Sequence, residues 1–209
     1  MNRACQIGVV GGVILFISLV SSDVYSETEN FKRFRTGLSF ASAHVEIDRS
    51  RIQRLSQNAS AIDDDGFSLI PHVSFYINRH FGIELSYQNF EDDNLFFGDL
   101  FDGWLSENIE YEMDGYSLLA LGEAMSPYGL FVRGKAGTLY ARNELILERN
   151  GDVVKEESWS GFYPKAAVEM GYAVGHHKRV SVEFAIGAST AKMDDTDLNN
   201  YYFSFATRF

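Results

Sequence analysis

The last nine residues, Tyr201-Tyr202-Phe203-Ser204-Phe205-Ala206-Thr207-Arg208-Phe209, constrain the fold more than any other stretch. Tyr201, Phe203, Phe205, Thr207 and Phe209 fall on one face; Tyr202, Ser204, Ala206 and Arg208 fall on the other. A period of two is the side-chain alternation of a strand. A face this aromatic, ending on Phe, suits a strand whose outer side meets lipid and whose rings sit at the membrane interfaces.

The same segregation recurs upstream. Strands are expected near 34–47, 67–78, 81–91, 108–121, 128–142, 159–174, 179–190 and 200–209. One face collects Phe67, Leu69, Pro71, Val73, Phe75 and Ile77, then Phe81, Ile83, Leu85 and Tyr87. It continues with the even positions 128–140 and 162–172, and with Val180, Val182, Phe184, Ile186 and Ala188, none of them charged. The opposite faces carry Glu84, Arg133, Lys135, Lys165, Glu169, Glu183 and Arg208, spaced by glycines. In a soluble barrel those charges would face a closed apolar core, where an unpaired ion costs several kcal/mol. In a membrane the order reverses, because a lipid-facing Arg or Lys costs about 2–4 kcal/mol at the midplane. The expected fold is therefore all-β: an eight-stranded antiparallel up-and-down transmembrane β-barrel. The strands at 34–47 and 108–121 segregate less cleanly. The pattern changes phase around Asp114-Gly115-Tyr116, and the face of Leu119 stays open.

Connections alternate long (48–66, 92–107, 143–158, 191–199) and short (78–80, 122–127, 175–178), as extracellular loops and periplasmic turns do. Residues 1–26 read as a secretory signal. Arg3 gives the positive start and 7–20 the apolar run. Val24-Tyr25-Ser26 offers a cleavage site, with Val20-Ser21-Ser22 as an alternative. The expected layout is a signal at 1–26 and an outer-membrane barrel at 27–209. The apolar run is shorter than the roughly 20 residues of a membrane helix, and no later run is long enough for one. Cys5 precedes that run, so the processed chain would hold no disulfide, thiol nucleophile or thiolate metal site. Processing would remove one base, Arg3, and one acid, Asp23, leaving the net charge at −11. That sign disfavours nucleic acid as a partner.

Over nearly its whole processed length the chain resembles the OmpA-like small outer-membrane barrels of Gram-negative bacteria, a porin-family kind of β-barrel domain. The resemblance is carried by Phe81-Gly82-Ile83-Glu84-Leu85-Ser86-Tyr87, by Ser126-Pro127-Tyr128-Gly129-Leu130-Phe131-Val132-Arg133-Gly134-Lys135-Ala136-Gly137, and by terminal Phe209. It implies that Tyr201, Phe203, Phe205 and Phe209 form an assembly signal read by the barrel-assembly machinery. The chain stops at Phe209 without the peptidoglycan-binding domain of some relatives, which removes support for a wall-anchoring role.

An eight-stranded barrel encloses little more than its own side chains. The inward charges are therefore read as a salt-bridged plug, with Glu169 paired to Arg133 or Lys135 and Glu183 to Arg208 or Lys165. The alternative is a narrow, porin-like path for ions or small solutes. A third reading, a lipid A-modifying enzyme, rests on His72, Ser74 and Glu84, a Ser/His/acid set in composition. Lipid A deacylases, themselves small barrels, use such a trio with His and Ser two residues apart. No catalytic, cofactor or metal residue is otherwise expected. The stretch 91–107 combines six acids with Leu95, Phe96, Phe97, Leu100, Phe101, Trp104 and Leu105, which suits either a solvated rim or contact with a host or neighbouring surface protein. Asp63-Asp64-Asp65 and Asp194-Asp195-Thr196-Asp197 offer oxygens to hard cations bridging lipopolysaccharide, without the spacing of a calcium loop. Arg49, Arg51 and Arg54 suit lipopolysaccharide phosphate. Asn150-Gly151 between strand-like runs predicts a hairpin, so this loop should project as a β-ribbon able to offer an edge to a partner. The function expected is non-enzymatic: a barrel in the outer membrane whose loops serve structural, adhesive or interaction roles.

Overall fold

A computed structural model describes residues 32–47, 62–92, 108–149, 152–194 and 196–209. The signal segment, Arg49, Arg51 and Arg54, loop residues 93–107, Asn150-Gly151 and Asp195 lie outside the described residues. Eight strands follow in order: β1 (Phe34–Ile47), β2 (Ile62–Tyr76), β3 (Phe81–Asp92), β4 (Asn108–Met125), β5 (Leu130–Arg149), β6 (Asp152–Val174), β7 (Ser181–Met193) and β8 (Thr196–Arg208). Each pairs antiparallel with its sequence neighbour, and β1 pairs with β8 to close the barrel. Phe34 and Phe209 exchange both backbone hydrogen bonds, at 2.9 and 2.8 Å, so the ends of β1 and β8 meet beside the short turns. No described helix is long and apolar enough to cross a membrane; the strands do the crossing.

Outward positions form a continuous apolar belt. Val73, Leu85, Leu118, Leu130, Val168, Met170 and Ile186 are each about half exposed. On β5 the belt runs from Leu130 to Tyr140, about 25 Å of height for a strand rising ~3.3 Å per residue at the usual tilt. That matches the hydrocarbon band of such barrels. Ring pairs mark its edges: Tyr87–Tyr116 and Tyr140–Phe162 at one, both with centroids 5.1 Å apart, and Phe34–Phe75 and Phe184–Phe205 at the other, both 5.3 Å apart.

The strands run further than composition indicates. β2 begins at Ile62, so Asp63-Asp64-Asp65 belong to a strand rather than to the loop. β5 and β6 stay paired up to Arg149↔Asp152, forming the expected ribbon, and β7 and β8 up to Met193↔Thr196. The expected long loop at 191–199 is therefore a tight hairpin. Above the belt, outward positions are wet, so strands there carry Glu112, Asp114 and Arg142 outside and resemble loops. The expected phase change at Asp114-Gly115-Tyr116 is absent too: Gly115, Leu119 and Leu121 point inward while Asp114 and Tyr116 point out. The two faces simply exchange polarity at that height.

Candidate functional site: a layered lumen

The lumen is stacked in three layers, and register decides which residues share a level. In the lowest, Glu123 of β4 and Glu169 of β6 stand directly opposite Arg133 of β5. The Arg133 guanidinium donates to both, and to Glu183 at 2.9 Å. Arg35, fully buried, reaches three carboxylates: Glu183 at 2.9 Å, Glu84 at 3.1 Å and Glu169 at 3.4 Å. Lys135 bridges Glu84 at 2.8 Å and Glu169 at 3.0 Å. Arg208 binds Glu123 at 2.5 Å, lies 3.7 Å from Glu183, and stacks on the Tyr76 ring at 3.9 Å. Tyr76 Oη donates to Glu123 at 2.8 Å. Arg35 and Arg208 are cross-strand neighbours, a repulsive pair on its own that Glu183 holds together.

Both pairings expected of Glu169 form at once. Of the two offered to Glu183, only Arg208 approaches it. Lys165 sits eight residues up β6 from Ala173, the residue opposite Glu183, and donates instead to Gln88 at 2.9 Å and Ser117 at 3.1 Å. Sequence reasoning missed Arg35 and Glu123. Arg35 lies in a strand whose faces segregate poorly, and Glu123 falls within the short connection expected at 122–127 but belongs to β4, where it continues the inward phase of Leu119 and Leu121.

The middle layer is amide and hydroxyl. Gln88 donates to Asn200 at 3.1 Å and Asn200 to Ser189 at 3.0 Å. Tyr202 lies at the boundary, donating to Glu169 at 3.3 Å while its ring rests on Gly187. A Cβ at 187 would come within 2.5 Å of that ring. Gly187→Val is therefore expected to displace Tyr202 and cost about 1–3 kcal/mol, read by urea unfolding in micelles; an unchanged midpoint would contradict the contact. Between these two layers, a cavity lined by His72, Glu84, Lys135, Lys165 and Tyr202 measures about 30 Å³, the volume of one water. The top layer is apolar: Val45, Ile47, Phe90, Tyr111, Met113, Leu139, Leu145 and Leu198 pack together, with Trp159 against them. A porin-like path would have to cross all three layers.

His72, Ser74 and Glu84 share the lumen but form no relay. Ser74 donates to Glu84 at 3.0 Å, not to His72. His72 Nε2 is buried without a hydrogen-bond partner, and Nδ1 approaches only the Ile70 carbonyl, at 3.4 Å. A triad needs the imidazole on the hydroxyl. The closing-strand residues Tyr201, Phe203, Phe205 and Phe209 all face outward and are 42–70% exposed.

No family model and no curated protein sequence matches the chain. Solved structures do. Ail, the attachment invasion locus protein of Yersinia pestis, superposes with a TM-score of 0.54 at 12% identity, covering 86% of this chain and 100% of Ail. Neisserial surface protein A superposes at 0.55 and 10% identity, covering 84% of this chain and 97% of its own. At such identities the likeness is one of fold: the chain is an eight-stranded transmembrane β-barrel of the small kind that these proteins share.

Proposed function

We propose that the chain is exported by the signal at 1–26, is recognised by the assembly machinery through Tyr201, Phe203, Phe205 and Phe209, and resides in the outer membrane of a Gram-negative bacterium. There it acts as a non-enzymatic surface barrel. The observation that carries this reading is the filled lumen: ionic below, amide in the middle, apolar above, with room for about one water where the lower layers meet. A barrel closed through its interior acts through what it displays. The displayed parts are the connections 48–61 and 93–107 and the β5–β6 ribbon, facing lipopolysaccharide, host molecules or neighbouring proteins. The fold is compatible with such contacts, since Ail has been crystallised with the heparin analogue sucrose octasulfate.

Planar-bilayer recording tests the reading. The folded protein should give no steady conductance, and Glu169→Gln should leave that baseline where it is. A stable step that shifts with Glu169→Gln would make the lumen a selective path and replace the display role with transport.

A further inference from the structure

At the end of the barrel where β1 starts and β8 finishes, the side-chain charge of the turns is of one sign. The β2–β3 turn carries Arg79 and His80, the β6–β7 turn carries His176, His177, Lys178 and Arg179, and Lys32 and Arg33 precede β1; no Asp or Glu falls in these segments. Among the described residues the other end is mixed with an acidic excess: Glu46, Glu112, Asp114, Glu156 and Asp194 are exposed, and so are Arg142, Lys155 and Lys192.

The β6–β7 turn is also held in a set shape. Gly175 adopts φ +73, a left-handed conformation that favours glycine, and the Lys178 N–H closes onto the Gly175 carbonyl at 2.8 Å. Lys32 Nζ donates to the carbonyls of Gly175 and His176 at 3.3 and 3.2 Å. His176 Nε2 donates to the Pro127 carbonyl at 2.8 Å. Those bonds fix the turn and leave His177, Lys178 and Arg179 exposed.

Directly above, in the lipid-facing wall, Leu130, Met170, Tyr172, Phe184, Ile186 and Phe203 border an apolar groove of about 750 Å³. A second groove of about 560 Å³ shares Val132, Met170, Ile186 and Phe203 with it and extends to Val168 and Ala188. The shared residues make the two one channel along the wall, about 13 Å long from Tyr172 to Val168 at strand rise. Tyr172 stands opposite Phe184 and Val174 opposite Val182, so the groove starts one pleat above the basic turn.

We propose that the turn and groove together bind an anionic glycerophospholipid of the adjoining leaflet. The headgroup phosphate sits on His177, Lys178 and Arg179, and one acyl chain lies in the groove. The chemistry selects this occupant on two counts. A groove opening onto hydrocarbon is filled by hydrocarbon, and a fixed cationic cluster at headgroup depth attracts anionic lipid, with Arg able to hold phosphate through two donors. The turns lack the acidic side chains that accompany the bases at the far end, which favours an anionic headgroup in the leaflet beside them. The inference rests on the proposed membrane placement.

Native mass spectrometry of the purified barrel with dioleoyl phosphatidylglycerol or phosphatidylethanolamine tests it. Phosphatidylglycerol should be retained about tenfold better. Lys178→Gln with Arg179→Gln should bring that preference below about threefold. Val132→Trp, which fills the groove from an outward position, should reduce retention of both lipids while keeping the preference. Equal retention by the unaltered protein, a preference that survives the double substitution, or full competition by glycerol phosphate alone would overturn the proposal. So would a dimer mass that excludes lipid, which would make a second copy the occupant of the groove. The same sample, moved to liposomes, is run heated and unheated on a gel. Absence of a fast unheated band would fail the membrane placement; a folded barrel indifferent to lipid charge would fail this inference alone.

Discussion

Arg133→Met is expected to destabilise the barrel by about 3–5 kcal/mol, the cost of removing one partner from a buried ion network. Arg133 is fully buried, contacts Glu123, Glu169 and Glu183, and lies over the Phe131 ring at 4.6 Å. Met keeps much of the volume but supplies no donor, so Glu123 in particular keeps only Arg208 and the Tyr76 hydroxyl. Restoring neutrality should recover part of the loss. Combining Arg133→Met with Glu123→Gln removes a stranded charge along with its partner, and the two changes should couple by about 0.5–3 kcal/mol. Urea unfolding in micelles, followed by tryptophan fluorescence, reads both quantities. A single-variant loss below about 1 kcal/mol would mean that the network is hydrated and worth no more than a surface pair.

Tyr111→Ala is the second large change, at about 3–5 kcal/mol for an aromatic side chain removed from a packed interior. Tyr111 is fully buried in the top layer, 5.6 Å from the Phe90 ring and 6.3 Å from Trp159, and its hydroxyl donates to Asn143 at 2.6 Å. Two contributions are separable. Tyr111→Phe keeps the ring and strands the Asn143 carbonyl, at about 1–3 kcal/mol; the remainder measured for Ala belongs to the cavity. Trp159, packed on the same cluster, should redshift in Tyr111→Ala and hold steady in Tyr111→Phe. If both variants unfold with the parent's midpoint, the top layer is not a core, and the closed-lumen reading loses its upper seal.

The two layers bear on function differently from a soluble core. The apolar belt outside is solvated by lipid, so exterior burial adds little that lipid would not supply. Stability must come from backbone pairing and from the lumen. A lumen occupied by salt bridges and packed aromatics contributes to that stability.

The strand alternation, the side on which Glu84, Arg133, Lys135, Lys165, Glu169, Glu183 and Arg208 lie, and the barrel itself were legible in the sequence, because a period of two with charge on one face has few stable solutions near lipid. The loops were legible only in part: above the belt, Thr196-Asp197-Leu198-Asn199-Asn200 continues as strand, since Leu198 and Asn200 turn inward while polar neighbours meet water. Beyond the shared height of Glu169 with Arg133 and Lys135, levels in the lumen were not legible. Arg35 meets Glu183 across 148 residues and Arg208 meets Glu123 across 85, contacts that exist only after β1 and β8 close and each ladder adopts its register. Alternation tells which way a side chain points. How far up the barrel it stands depends on the stagger between strands, and that is a property of the closed sheet, decided by tertiary structure alone.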